Sequence, residues 1–187
     1  VSTQTIGATL GEVALAKGVK AGLYGFLILS LFMIFWYRLP GLISVVALTF
    51  YVLIMLAIFK LIPVTLSAAG IAGFILSIGV AVDANVLIFE RLKEELRGGK
   101  RLGDSIKDGF IRAWLSIRDS NLSSIISAII LFWFGTSLIK GFALTLGLGV
   151  VVSMFTAIVV TRTWLLAFGF EHKNRLLVFL FGNGLKR

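Results

Sequence analysis

The residue in this 187-residue chain whose type and setting could do chemistry is Asp83. It lies in Val80-Ala81-Val82-Asp83-Ala84-Asn85-Val86-Leu87-Ile88-Phe89-Glu90-Arg91, a carboxylate inside an apolar run long enough to cross a membrane. A charge at such a depth costs about 2.5–3.5 kcal/mol even on lenient insertion scales, so it needs a reason to be there. One reason is structural, a hydrogen bond or a buried ion pair with a neighbouring helix. The other is functional: desolvation raises a carboxyl's proton affinity, letting it take up and release a proton as its surroundings open to water. Intramembrane acids are functional by default, which favours proton transport at Asp83.

Asn85 is two residues away, about 200° around a helix, and so faces elsewhere. It continues a ladder of small residues, Ala69, Gly73, Ser77 and Ala81, that lets a neighbouring helix approach closely. Its amide suits an interhelical hydrogen bond, a packing role that precedes its use as a polar partner of Asp83. The other candidate partners follow Arg118: Asp119, Ser120, Asn121 and Ser124, with Ser123 and Ser127 at helical spacing. They read equally as a helix cap with small packing residues, or as a hydrated seam beside Asp83. Nothing resembles a hydrolytic or phosphate-binding motif. There is no Cys and a single His, His172, so no metal or cofactor site is expected and the chain is not expected to be an enzyme.

The elements that carry these residues are transmembrane helices. Hydrophobic residues make up 58% of the chain, and its mean hydropathy is +1.02. Five apolar stretches, about 19–37, 42–59, 64–89, 119–134 and 142–160, predict an all-α integral membrane protein with one transmembrane domain over 19–168. Pro40-Gly41 and Pro63 mark turns between them. Residues 1–18 read as an extramembrane lead-in and 169–187 as a basic tail, whose short apolar run Leu176–Phe181 is too short to span. Residues 91–118 read as a charged loop. Its second half carries Ile106, Phe110, Ala113, Trp114 and Ile117 at helical spacing, an amphipathic helix lying in the interface and capped by Asp104.

The net charge of +9 fits basic residues kept on the cytoplasmic side rather than nucleic-acid binding. With the 91–118 loop inside, 14 of the 18 Lys and Arg are cytoplasmic and only Lys17, Lys20, Lys60 and Lys140 are outside. The lead-in is then extracytoplasmic and the C-terminal tail, below Arg162, cytoplasmic. An outside lead-in implies an upstream span or exported region.

Three segments carry a family resemblance: VDANVLIFERLKEEL, then SIRDSNLSSIISAIILFWFGTSLIKGFALTLGLGV with SMFTAIVVTR, and TIGATLG near the start. Together they resemble the SecD branch of the SecD/SecF family of Sec protein-export accessory subunits, and more remotely the resistance-nodulation-division transporters. The resemblance implies five of the six helices of one half of a pseudo-symmetric bundle, in the bacterial plasma membrane. It implies use of the proton motive force to promote preprotein export, with SecF, the SecYEG channel and YajC as partners. Asp83 matches the family's intramembrane aspartate, and Asp119 and Asn121 its D-x-N segment. The first span and the periplasmic domain are not in this sequence. The competing expectation is half of a small-molecule or lipid exporter of the wider superfamily.

Overall fold

A computed structural model describes residues 8–62, 67–170 and 181 of the chain. Among them the chain forms α1 (Ala8–Tyr37), α2 (Leu39–Leu61), α3 (Ala68–Arg97), α4 (Leu102–Phe134), α5 (Ser137–Thr156), a π-helical segment (Ala157–Thr161) and α6 (Arg162–Phe170). Five rods, with the last three elements forming one, are long and apolar enough to cross a membrane. The turn expected at Pro63, residues 1–7 and the tail beyond 170 lie outside the described residues, apart from Phe181, which is buried.

Around these rods hydrocarbon is as apolar as Leu, so burial alone does not hold them together. Close packing and interhelical hydrogen bonds must. α3 is the centre of the arrangement and makes its broadest contact with α5. The ladder explains why. A Cβ on Gly73 would run into Thr145 and Phe142, and one on Gly149 into Ser77 and the Tyr51 hydroxyl. Rungs Gly73 and Ser77 thus meet Thr145 and Gly149 in rising order, which makes α3 and α5 parallel. Thr145 Oγ1 donates across the seam to the Gly70 carbonyl at 2.9 Å. Ser77 Oγ spends its proton on the Phe74 carbonyl, so the Tyr51 hydroxyl, 2.6 Å away, donates to Ser77 and ties α2 to α3.

α1 also runs parallel to α3, with Gly18 and Gly22 against Ile71 and Ile75. At its other end the Tyr37 ring packs on Phe89 and under the ammonium of Lys93, 4.0 Å from the ring centre. One residue, Arg38 at φ 53°, separates α1 from α2. Pro40 sits in the first turn of α2, where a missing N–H costs nothing, and Gly41 touches the Met33 carbonyl where no Cβ would fit.

The structure departs from four sequence expectations. The part of the lead-in from Ala8 onward is no separate segment but the first turns of α1. Residues 91–118 do not form a loop: α3 runs on to Arg97 and α4 starts at Leu102, a helical hairpin turned by Gly98 and by Gly99 at φ 83°. Its charges were read as a break, yet a helix outside the membrane keeps its backbone bonds and simply solvates its side chains. The amphipathic half is accordingly the start of α4, and its stripe Ile106, Phe110, Ala113 and Ile117 is buried against the bundle rather than laid on lipid. Arg101, not Asp104, occupies the N-cap, and Asp104 lies in the first turn, where a carboxylate suits the helix dipole.

The hairpin is laced by ions. The nearly buried Glu95 carboxylate pairs with Lys100 at 2.7 Å and with Arg112, while Lys100 also reaches Asp108 at 2.6 Å. In the turn, Asp108 first and then Glu95 hold the Lys100 ammonium above its usual proton affinity. Gly109 lies against the backbone of Leu92, bringing the two arms into direct contact.

Candidate functional site: the intramembrane polar face of α3

Asp83 and Asn85 lie on opposite sides of the same helix. Asn85 is 3% exposed and sits in the α3–α5 seam. Its carbonyl accepts a hydrogen bond from Thr161 Oγ1 at 2.8 Å, and its Nδ2 reaches the Ala81 carbonyl at 3.4 Å. Asp83 belongs to the exposed stripe Ala72, Leu76, Gly79 and Asp83, which no other helix among the described residues covers. A Cβ on Gly79 would meet nothing within 4 Å. Asp83 makes no hydrogen bond or ion pair among the described residues.

The candidate partners on α4 divide. Asn121 is buried, one turn beyond Ile117 on the inward stripe. Asp119 is exposed and paired with Arg118 at 2.9 Å. Ser120 and Ser124 bond back to their own helix, to the carbonyls of Ile117 and Ser120 at 3.2 Å, so neither offers its proton across the bundle. None of these residues is bonded to Asp83 in this chain. The Arg118–Asp119 pair does share its depth. Nine residues from the Leu92–Gly109 contact, about 13 Å along each helix, stand Asp83 on α3 and Arg118 on α4. The bundle surface therefore carries a carboxylate and an ion pair at one level.

Sequence reasoning did not find Thr145, Thr161 and Tyr51. Two of them were findable. Gly141, Thr145, Gly149, Ser153, Ala157 and Thr161 form a second ladder at four-residue spacing, complementary to the first. Tyr51 had no such signal, because a lone Tyr in an apolar span has nothing to mark its partner. Arg162 lays its guanidinium over the Phe110 ring, 4.8 Å from its centre. No group of three or more His, Cys, Asp or Glu that could hold a metal exists among the described residues.

The family profile described as Protein export membrane protein SecD/SecF, C-terminal, matches residues 1–171. The chain belongs to the SecD/SecF family. Relatives named Protein translocase subunit SecD include one from Thermobaculum terrenum, 60% identical over 88% of this chain and 33% of that protein. Another, from Dehalococcoides mccartyi, is 55% identical over 94% of the chain and 40% of its own length. One from Pseudomonas aeruginosa is 48% identical, over 94% and 28%. The crystal structure of SecDF from Thermus, a translocon-associated membrane protein, superposes with a TM-score of 0.84 at 39% identity, covering 88% of this chain and 23% of that one. The chain thus spans about a third of the SecD/SecF relatives it matches, and the helical membrane fold of the family is the part it contains.

Proposed function

We propose that this chain is the membrane part of a SecD subunit, in which Asp83 carries protons whose flow promotes export of preproteins across the bacterial plasma membrane. The observation that carries this reading is the placement of Asp83. A carboxylate at membrane depth, on a face that none of the described helices covers, is tolerable only against a second surface or water. SecF, the pseudo-symmetric second half, is the proposed cover, and the SecYEG channel, YajC and the preproteins are the further partners. The role is non-enzymatic. Protonation of Asp83 removes the charge and changes which packing of the two halves is favoured, so proton flow biases a two-state bundle. The distribution of basic residues supports a topology with the α3–α4 hairpin and the C-terminal end in the cytoplasm and the start of α1 outside.

The test is Asp83→Asn in the complete complex. The amide keeps the shape and cannot carry the proton, so stimulation of preprotein export by the proton motive force should disappear while the complex still assembles. Unchanged stimulation in that variant rules the carrier role out.

A further inference from the structure

We propose that the Thr161–Asn85 hydrogen bond positions Asp83, by fixing the rotation of α3 about its own axis, and that the π segment is what places Thr161 to make it. The inference rests on the proton-carrier reading of Asp83 for its functional consequence, and on geometry alone for the positioning.

The two ladders give the argument its form. On α3 the rungs are Gly73, Ser77, Ala81 and Asn85; on α5 they are Thr145, Gly149, Ser153 and Ala157. The first two pairs meet directly, Gly73 with Thr145 and Ser77 with Gly149. Continuing rung for rung, Asn85 would meet Ala157, which has no hydrogen-bonding side chain. It takes Thr161 instead, one rung further on. The slip occurs where the last rod stops being an α-helix. From Ala157 to Thr161 it is π-helical, and the Arg162 N–H bonds to the Ala157 carbonyl five residues back. Such insertions are uncommon and cluster at functional sites, because the extra residue re-aims everything that follows.

The bond formed there is well protected and poorly replaceable. Thr161 is 0% exposed and Asn85 3% exposed, so no water stands in for either. The other contact of the Asn85 amide, with Ala81, is long at 3.4 Å and lies within α3 itself. Among the described residues, Thr161 is therefore the one short hydrogen-bonded tether between this turn of α3 and the neighbouring rod. Asp83 is two residues away, about 200° around the helix. Holding Asn85 in the seam holds Asp83 out of it. Release of the tether frees α3 to turn and carries the carboxyl away from the uncovered face. The same segment ends at Arg162, stacked on Phe110 of α4, so a change in the π turn is also felt at the base of the hairpin.

The experiment uses the complete complex in native membranes. Asp83→Cys is labelled with a membrane-permeant maleimide, and its rate is divided by that of Leu31→Cys, an exposed position on α1. Combining Asp83→Cys with Thr161→Val, which keeps the shape and removes the hydroxyl, should change that ratio at least threefold. Thr161→Ser should restore it. Asn85→Ala removes the acceptor from the other side and must move the ratio in the same direction. With Asp83 intact, Thr161→Val should lower the proton-dependent part of export about three- to tenfold, the span expected for losing one buried hydrogen bond, at unchanged complex yield. Thr161→Ser should retain it. An unchanged labelling ratio in Thr161→Val, or opposite shifts in the two variants, overturns the positioning. A shifted ratio in a complex whose export ignores Asp83→Asn leaves the positioning standing and sinks the carrier reading instead.

Discussion

At the scale of single residues, the seam between α3 and α5 is governed by atoms that are not there. Gly149 lets Ser77 and the Tyr51 hydroxyl come together, and any side chain at that point must push two helices apart. Gly149→Leu should therefore destabilise the bundle by about 1–3 kcal/mol, as overpacking does. Gly25→Ala is the matched control: its Cβ would meet nothing within 4 Å, and removing a helical Gly should be neutral or stabilise by about 0.5–1 kcal/mol. Thermal unfolding in detergent compares the two, and equal effects would show that the seam is not close-packed. Asp83 was legible from sequence because a charge in an apolar run is conspicuous. The direction it faces was legible from the ladder on the opposite side. Thr161 was legible only as a rung of the second ladder; its pairing with Asn85 was not, since no sequence pattern announces a π turn.

At the scale of elements, the hairpin of α3 and α4 is where reading by hydropathy failed. Five spans stand out as apolar runs, but a polar stretch marks only the end of the hydrocarbon, not the end of the helix. The physical stop is the pair Gly98-Gly99, not the first charge at Glu90. What closes the tip is the Glu95 carboxylate, shared by Lys100 and Arg112. Glu95→Gln should loosen the turn, with faster amide hydrogen exchange over residues 96–103. Glu94→Gln, whose carboxylate is half exposed and pairs chiefly with Arg91 one turn away, should change exchange little. Equal acceleration in the two variants would mean that the tip is held by its backbone alone. The Lys100 contribution has a definite sign. Its ammonium is favoured in the folded state, so its stabilising effect is present at neutral pH and is lost as alkaline pH removes the proton.

At the scale of the molecule, the bundle has a finished side and an unfinished one. The finished side is the packed interior of α2, α3 and α5; the unfinished one is the stripe of Ala72, Leu76, Gly79 and Asp83. Gly79→Leu separates the two. The isolated chain has room for the side chain, so its folding should be unaffected, whereas association with a SecF-like half should be weakened in co-purification. Full association in that variant would place the second half elsewhere. α1 gives this surface a mechanical meaning. It is a single 30-residue helix without Pro, about 45 Å long, set beside α3 at Gly18 and Gly22 near one end and at Tyr37 near the other. At its foot only Arg38 separates it from α2. The rod runs parallel to the helix that bears the acid, and its first ten residues extend about 15 Å past Gly18, where Gly11 meets nothing within 4 Å. A tilt of α3 should therefore be largest, as a displacement of α1, at the start of that helix, on the side of the membrane away from the hairpin.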